Sequence, residues 1–253
     1  MMDSMPCAIC RGEAGFFLKN NAGGRSFFRC AGCGYIFAAP DEQRLSHEEE
    51  RAFFKGQWEQ NPDGGNVGCY PHILSLAQSC GIAPVKALDF GCGNAGLIRF
   101  LRANGIPAYG IDRVPVDNDM RPFVFGDFGK LPDMKFDLIT AIEVFEHLPD
   151  PVPVLDELLT RLSPEGFLFI TTALTNRAMA HIKYFPHWIY QKDSTHIGFF
   201  AERTMEFLAH KNGLELQVFG YGDFILDRSK KRLVVQHEGR FVFHRQDKWE
   251  MNY

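Results

Sequence analysis

The sequence predicts an α/β fold, in which a doubly wound, mostly parallel sheet of seven strands follows a small N-terminal module. Between residues 85 and 172, short apolar runs alternate with segments whose apolar residues recur at helical spacing. Such alternation is typical of parallel strands connected by helices that cover both faces of the sheet. The first 40 residues instead carry two closely spaced cysteine pairs, and a chain of 253 residues has room for both parts.

The composition excludes several classes of protein. The net charge of -4 argues against broad electrostatic binding to nucleic acid. No apolar run approaches the roughly 18 residues of a membrane helix, and the segment 1–6 is too short and polar for a signal peptide. We therefore expect a cytoplasmic protein without a membrane partner, whose cysteines stay reduced.

The cysteine pairs predict a metal site. Two CxxC motifs lie nineteen residues apart, a spacing typical of four-cysteine zinc sites: Cys7 with Cys10, and Cys30 with Cys33. Apolar segments between the pairs predict a hairpin, and Gly34 can take the positive φ of the turn after the second pair. We expect a zinc ribbon over residues 1–40, with a structural Zn²⁺ because four thiolates leave no open coordination position. The alternatives are four unrelated buried cysteines and a redox pair, for which no βαβ pattern is visible.

Residues 41–70 predict an acidic, helical linker. Its charge is typical of a solvated surface, but its aromatic residues could instead close over a ligand as a lid: Phe53, Phe54, Trp58 and Tyr70. A short amphipathic helix with Ile73 and Ala77 on its apolar face follows and ends near Gly81. The α/β domain is expected over residues 71–253.

A glycine-rich turn marks the ligand site of that domain. The apolar strand 85–90 ends in Gly91-x-Gly93-x-x-Gly96, and a helix begins directly after it. Glycines let the backbone approach a ligand closely, and free amides at a helix start favour an anionic group. The motif predicts a nucleotide-like cofactor, either a nicotinamide dinucleotide or S-adenosylmethionine.

Two acidic residues end later strands. Asp112 follows the strand 108–111, sixteen residues beyond Gly96, where a carboxylate can accept from both ribose hydroxyls. Asp127 ends a third strand, and either accepts from an adenine amino group at the sheet edge or only opens the next turn. Dehydrogenases and methyltransferases share the first feature, so it does not select the nucleotide.

The rest of the domain continues the alternation. The expected elements are strand four at 136–142, a helix from Pro151, strand five at 167–172, a helix at 202–212 and strand six at 214–220. Two strand-like runs over 232–244 predict a hairpin that supplies an antiparallel edge. Polar residues cluster directly after strand four.

Five motifs in this order resemble the class I S-adenosylmethionine-dependent methyltransferase family: Leu-Asp-Phe-Gly-Cys-Gly at 88–93, Gly-Ile-Asp at 110–112, Phe-Asp-Leu-Ile at 136–139, Glu-His-Leu-Pro-Asp-Pro at 146–151 and Leu-Ser-Pro-Glu-Gly at 162–166. The resemblance covers residues 85–220 and implies a Rossmann-like methyltransferase fold. It also implies a cofactor site made of these residues: Asp89, Gly91, Cys92, Gly93, Asp112, Asp127, Phe128 and Glu143. The methionine part would lie against Asp89 and the glycines, the ribose on Asp112, and adenine beside Asp127 and Phe128. Ala95 departs from the family, which usually has its third glycine there.

An aromatic insertion at 173–200 is the predicted substrate region, because it lies between strand five and the next helix, beside the cofactor crevice. Its run from Asp193 to Phe200 is similar to a segment of bacterial methyltransferases that act on small molecules or glycans. A base is needed only where the acceptor carries a proton, and imidazole titrates near neutral pH. The candidate bases are His196 and His147, with Glu143 and Asp193 as the carboxylates that orient them. Each histidine could instead be a structural hydrogen-bonding residue.

These features favour a methyltransferase that acts on oxygen or carbon of a small molecule, such as a sugar, a glycan or a lipid intermediate. Strand four ends in Ala-Ile-Glu-Val and not in the Asn/Asp-Pro-Pro-aromatic sequence of many enzymes that methylate nitrogen. An RNA methyltransferase is the main alternative, since basic residues of the ribbon are interleaved with aromatics that could track a phosphate backbone: Arg11, Lys19, Arg25 and Arg29. A nicotinamide-dependent oxidoreductase and a non-catalytic cofactor-binding protein are further alternatives.

Overall fold

A computed structural model describes residues 3–19, 24–40, 45–60, 69–79, 83–114, 116, 119–175, 179–219, 223–227 and 232–236. The N-terminal module contains four antiparallel strands: β1 (Ser4–Pro6), β2 (Glu13–Lys19), β3 (Ser26–Cys30) and β4 (Ile36–Ala38). The strands β2 and β3 confirm the predicted hairpin, although part of its turn, residues 20–23, lies outside the described residues. Gly34 has the predicted positive φ, at 79°.

Two helices connect this module to the α/β domain: α1 (His47–Gln60) and α2 (Tyr70–Ser79). Ser46 and Glu49 form a reciprocal cap at the start of α1, in which each side chain accepts from the other residue's backbone amide. α2 buries Ile73 and Ala77 fully, as its apolar face predicts. The described part of the acidic connector is therefore helical, and α2 is the short amphipathic helix that the sequence predicts after it.

The α/β domain contains five parallel strands, which confirm the doubly wound architecture. In chain order its elements are β5 (Ala87–Phe90), α3 (Gly96–Ala103), β6 (Ala108–Ile111), β7 (Val124–Phe125), β8 (Phe136–Ile142), α4 (Pro151–Arg161) and β9 (Leu162–Thr171). The spatial order is β7-β6-β5-β8-β9, so the chain reverses direction across the sheet between β5 and β8. Ligands bind at such a reversal, outside the carboxyl ends of the strands.

The insertion pairs with the N-terminal module. It contains β10 (Leu174–Thr175), α5 (Ile189–Lys192) and β11 (Gly198–Ala201), and β11 runs antiparallel to β4. A six-stranded sheet in the order β1-β2-β3-β4-β11-β10 results. Its aromatic core joins both parts, since the ring of Phe185 lies 5.1 Å from those of Phe27 and Phe199. The module and the insertion therefore share one core.

The last described elements extend the large sheet beyond the predicted seven strands. After α6 (Glu202–Lys211) come β12 (Glu215–Phe219), β13 (Asp223–Asp227) and β14 (Arg232–Gln236), which bring the sheet to eight strands. The extra strand is β13, which pairs antiparallel to β9 where the sequence predicted only a connection. The predicted hairpin over 232–244 lies outside the described residues after Gln236. Among the helices that the structure describes, none is long and apolar enough to span a membrane.

Candidate functional site

A cavity of about 300 Å³ lies at the carboxyl ends of β5, β6 and β8. Volumes from about 300 Å³ are typical of small-molecule sites. α1 and Tyr70 cover one side of it, and the glycine loop after β5 forms its floor. Its lining residues are Glu50, Arg51, Phe54, Trp58, Tyr70, Asp89, Phe90, Gly91, Cys92, Gly93, Asn94, Leu97, Ile111, Asp112, Arg113, Val114, Ile142, Glu143, Val144, His147 and Leu148.

The glycine loop needs glycine at two positions. Gly91 has a φ of 70°, and a Cβ there would lie 2.4 Å from Cγ2 of Val144. Gly93 has a φ of 55°, and a Cβ there would lie 3.2 Å from the indole of Trp58. Ala95, the residue that departs from the family pattern, also takes a left-handed φ of 64° and is fully buried. Ala95 thus adopts a left-handed conformation that is strained for alanine.

Asp112 is built into the loop by backbone hydrogen bonds. Its Oδ2 accepts from the amide of Gly93 at 2.9 Å, and its Oδ1 accepts from the amide of Val114 at 2.8 Å. Each oxygen keeps a second lone pair that a ligand hydroxyl can use. Burial raises the pKa of Asp112, and the two amide hydrogen bonds oppose that rise.

Asp89 is the second carboxyl group of the cavity. Its side chain is buried, and the hydroxyl of Thr140 donates to its Oδ1 at 2.6 Å. Burial raises the pKa of Asp89 to about 7. The carboxyl is therefore close to half-protonated at neutral pH, and a cationic ligand group beside it would favour the ionised form.

Asp127 and Phe128 lie outside the cavity lining. Asp127 is exposed, and its Oδ2 pairs with Nζ of Lys130 at 3.0 Å, which lowers its pKa. The Phe128 ring stacks on Phe90, with the ring centroids 5.3 Å apart, and Phe90 does line the cavity. The adenine contact expected of Asp127 and Phe128 remains a prediction.

An acid–base cluster lies at one end of the cavity and reaches its wall through two of its members, Glu143 and His147. The other members are Glu146, Tyr190 and His196. The turn after β8 brings Glu143 and His147 to the cavity wall, and the insertion supplies the tyrosine and the second histidine. The Tyr190 hydroxyl donates to Oε2 of Glu143 at 3.0 Å. The imidazole rings of His147 and His196 lie 4.7 Å apart. The two histidines that the sequence offered as alternatives are thus neighbours.

Backbone carbonyls fix the tautomers of both histidines. Nδ1 of His147 lies 3.0 Å from the carbonyl oxygen of Thr195, and Nδ1 of His196 lies 2.7 Å from that of Tyr190. Since a carbonyl only accepts, each Nδ1 carries a proton, and Nε2 is the ring nitrogen that can act as a base when the imidazole is neutral. Burial lowers the pKa of His196, which favours its neutral form.

The Asp193 carboxylate accepts hydrogen bonds within its own turn and none from the His196 imidazole. Its Oδ1 accepts from both the amide and the hydroxyl of Thr195, at 2.8 and 2.6 Å. Its Oδ2 lies 3.9 Å from Nε2 of His196, which is beyond hydrogen-bond distance. Asp193 and His196 are not among the residues that line the cavity, whereas Glu143 and His147 are.

Glu146 and Tyr190 are site residues that the sequence reasoning missed. Glu146 is fully buried, and neither of its carboxylate oxygens accepts a hydrogen bond within the described part of the chain. One ligand atom from each of Glu146, His147 and His196 lies within 4.8 Å of the others, close enough to share a cation or a proton. The available signal was the run Glu-x-x-Glu-His directly after an apolar strand, because charged residues are rarely placed there without a partner.

Aromatic residues of the connector helices close the cavity from above. Trp58 packs on Gly93, and Phe54 lies edge-on to the His147 ring, with the centroids 5.3 Å apart. Tyr70 also lines the cavity, whereas Phe53 contacts Phe54. The connector thus lines the cavity, and its role as a lid over a ligand stays a prediction.

The four cysteines of the N-terminal module form a compact cluster. Sγ of Cys7 lies 3.6 Å from Sγ of Cys33, and Sγ of Cys10 lies 3.4 Å from Sγ of Cys30. Zn–S bonds of 2.3 Å place the sulfurs of a zinc tetrahedron about 3.8 Å apart, so the spacing fits a bound Zn²⁺. A hydrogen bond from the Cys33 thiol lowers the pKa of Cys7, and the thiolate is the form that binds zinc.

Comparisons with known proteins agree with this site. A family model described as a methyltransferase domain matches residues 42–217, well over half of the chain. The chain belongs to this family. The match confirms the prediction of an S-adenosylmethionine-dependent methyltransferase and decides between the two cofactors that the glycine motif allowed.

The curated relatives of this methyltransferase are more distant. The ubiquinone biosynthesis O-methyltransferase of Histophilus somni is 28% identical over 153 residues, which cover 52% of this chain and 63% of that protein. The enzyme of the same name from Actinobacillus pleuropneumoniae is 32% identical over 110 residues, covering 36% of this chain and 47% of that one. The chain thus spans about half of the length of the curated relatives it matches. A solved structure, the plantazolicin methyltransferase BpumL with S-adenosylhomocysteine, aligns at a TM-score of 0.49 and 14% identity over 69% of this chain and 76% of that one.

We predict that Gly91→Ala damages both folding and cofactor binding. The new methyl group would clash with Val144, and alanine would be strained in the left-handed conformation of this position. The free energy of unfolding should therefore fall by about 2–4 kcal/mol. The affinity for S-adenosylhomocysteine should fall at least tenfold. Urea unfolding and titration calorimetry measure the two effects.

Gly105→Ala is the matched control, because Gly105 has a similar φ of 79° but no atom within 4 Å of the added Cβ. It should cost about 1 kcal/mol of stability and leave the affinity unchanged. Equal losses of stability and of affinity in the two variants would show that the contact with Val144 does not contribute.

We predict that Asp89 couples stability and ligand binding to pH. Its folded pKa of about 7 lies above the ordinary value, so the ligand-free protein should lose stability from this group as pH rises from about 4 to about 7. The loss is at most about 4 kcal/mol. Urea unfolding across this range, compared with Asp89→Asn, isolates the contribution.

Binding should have the opposite pH dependence. The ammonium group of S-adenosylhomocysteine favours the ionised form of Asp89. Binding at a pH of about 6.5, close to the pKa of Asp89, should therefore release protons. Calorimetry in two buffers of different ionisation enthalpy measures that release, and Asp89→Asn should remove it. Identical proton release in the variant would exclude Asp89 as its source.

Proposed function

We propose that this methyltransferase transfers the methyl group of S-adenosylmethionine to a hydroxyl oxygen of a small molecule. The observation that carries the proposal is the position of His147. Its imidazole lines the cavity beside the glycine loop, with the Nδ1–H donating to a carbonyl oxygen and Nε2 available as a base. A proton-accepting nitrogen at this place suits an acceptor that must lose a proton.

The same cavity would hold the cofactor. Asp112 offers two carboxylate oxygens, already oriented by backbone amides, to the ribose hydroxyls. Asp89 lies deeper, where it would balance the ammonium group of the methionine part. The glycine loop lets the ligand approach the backbone, and Trp58 covers it. When bound, S-adenosylmethionine supplies an electrophilic methyl group on a sulfonium.

The residues around the acceptor would position it and accept its proton. Much of methyl-transfer catalysis is alignment of the attacking atom, and Glu143 and His147 present two hydrogen-bond acceptors at the cavity wall. The acceptor hydroxyl would donate to Nε2 of His147 and pass its proton there as the oxygen attacks. The buried carboxylate of Glu146, with Oε1 3.9 Å from that nitrogen, would stabilise the imidazolium.

His196 would then support His147 and not act as the base itself. The sequence put His196 first, but it does not line the cavity as the structure describes it. Its ring packs against both His147 and Tyr190. Glu143 is held by the Tyr190 hydroxyl, which burial keeps protonated by raising its pKa.

Oxygen is favoured as the acceptor atom by the names of the curated relatives, which are O-methyltransferases. RNA is disfavoured as the acceptor because two of the basic residues proposed to bind it already contact other groups of the protein. Arg25 is 4% exposed, and Arg11 pairs with Asp150 at 2.7 Å. A sugar, glycan or lipid intermediate remains a candidate for the acceptor, which contains a hydroxyl group in each case.

The cysteine cluster would bind a structural Zn²⁺. All four thiols lie within 4.8 Å of one another, and four sulfur ligands close the coordination shell. The cluster is part of the module that pairs with the insertion, so metal binding would support the substrate side of the site through folding.

We predict one zinc ion per chain by elemental analysis of protein purified without added metal. Cys30→Ser should lose the metal and destabilise the fold, because three ligands bind more weakly and the module has a small core. Cys69→Ser is the control, since Cys69 lies outside the cluster, and it should keep the zinc. A folded, metal-free wild-type protein would contradict the prediction.

We predict that His147→Gln lowers turnover by about 100-fold or more while S-adenosylhomocysteine affinity changes less than about threefold. The assay is formation of S-adenosylhomocysteine with a panel of hydroxylated aromatics, sugars and lipids. His187→Gln is the control, because His187 is exposed on the same insertion.

Full turnover by His147→Gln would remove its role as base. Binding of S-adenosylhomocysteine without turnover on any acceptor would instead favour a non-catalytic cofactor-binding protein. Turnover only with RNA would overturn the choice of a small molecule.

A further inference from the structure

The side chain of Arg25 is buried although it carries a charge, and it reaches from the N-terminal module into the insertion. Arg25 stands directly before β3 and is 4% exposed. Its guanidinium donates to four backbone carbonyls of one turn: those of Gln191, Asp193 at 3.1 Å, Ser194 at 3.3 Å and His196 at 2.9 Å. The rigid fork of arginine suits such convergent acceptors, and lysine cannot reproduce it.

The same turn holds both imidazoles of the acid–base cluster. The carbonyl that accepts from Nδ1 of His147 belongs to Thr195, inside the segment that Arg25 binds, and the one that accepts from Nδ1 of His196 belongs to Tyr190, directly before that segment. The turn is also tied at its end, because the amide of Ile197 donates to the carbonyl of Glu146 at 2.8 Å. Moving the turn would therefore move the acceptors of both Nδ1 protons.

We propose that Arg25 is a positioning residue for the acid–base cluster: by fixing residues 190–197, it holds His147 and His196 as Nδ1–H tautomers and leaves Nε2 free. The inference rests on the proposed function for its catalytic meaning. Free histidine favours the Nε2–H tautomer, which would put a proton on the atom that must accept one. The N-terminal module would thus set the protonation pattern of the site without contacting the ligand.

The part of the module that contains the cysteines also forms hydrogen bonds to the chain near this turn. Cys30 lies on the strand that follows Arg25, and the carbonyl of Cys33 accepts from the hydroxyl of Thr204 at 2.9 Å. The amide of Ala38 donates to the carbonyl of Ile197 at 2.9 Å. Arg25 is therefore anchored on a module that also contacts the chain at the end of the turn and directly after it.

The test compares tautomers in Arg25→Gln, Arg25→Lys and Arg29→Gln, each as the full chain with its metal. Arg29 is a matched control, because its Nη1 donates to the carbonyl of Ala180 at 3.1 Å, in the insertion but outside the turn. Long-range ¹H–¹⁵N spectra of ¹⁵N-histidine protein at one pH distinguish the two tautomers. The signals of His147 and His196 are identified among those of the nine histidines by their loss in His147→Gln and His196→Gln.

We expect both imidazoles of the wild type and of Arg29→Gln to be Nδ1–H tautomers. In Arg25→Gln, at least one should become mainly Nε2–H, and amide exchange at 195–197 should accelerate at least tenfold. Arg25→Lys should show smaller changes in the same direction. The affinity for S-adenosylhomocysteine should stay within threefold in all variants, because the turn does not line the cavity.

Wild-type tautomers and wild-type exchange in folded Arg25→Gln would overturn the inference. If that variant does not fold, Arg25→Lys decides it by the same criterion. The spectra need no acceptor molecule, so a failure to find methyl transfer would remove the proposed function and leave the positioning of the imidazoles to be judged separately.

Discussion

The antiparallel pairing of β4 with β11 is the interaction on which the substrate side of this molecule depends. Through it, a cysteine-bearing module at the start of the chain and an insertion 160 residues later become one six-stranded sheet. The approach of the two strands is close, since a Cβ on Gly198 would lie 2.0 Å from the hydroxyl of Tyr35. Behind the pairing, aromatic rings of the module and of the insertion pack in one core.

The other half of the site depends on the crowded end of β5. There the glycine loop turns through left-handed residues and approaches Val144. Asp89 of β5 and Asp112, which follows β6, line the same cavity. The two halves meet at the turn after β8, where Glu143 takes a φ of 53° and its amide donates to the hydroxyl of Thr171. Left-handed conformations of non-glycine residues cost energy and cluster at functional sites. The strained residue here is the one that faces both the glycine loop and the insertion.

Local patterns predicted the parts of this site that are local. The glycine loop, the carboxylate after β6 and the strand that ends before Glu143 follow from periodicity and spacing, because each involves one strand and the turn after it. The neighbourhood of His147 and His196 could not be derived in this way, since it depends on a sheet built from distant segments. The role of Arg25 was misjudged for the same reason. A basic residue in a ribbon normally indicates a surface, and only the fold shows four carbonyls around it. The described sheet has one strand more than the seven expected, because nothing in the sequence distinguishes β13 from a connection.

A crystal structure of the full chain with S-adenosylhomocysteine would show where the methyl group leaves, because the sulfur marks that position. We expect the ribose hydroxyls on Asp112, the methionine part towards Asp89, and the sulfur facing Glu143 and Nε2 of His147 at the end of the cavity. A ligand bound elsewhere, or a sulfur turned away from His147, would contradict the proposed methyl transfer at this site.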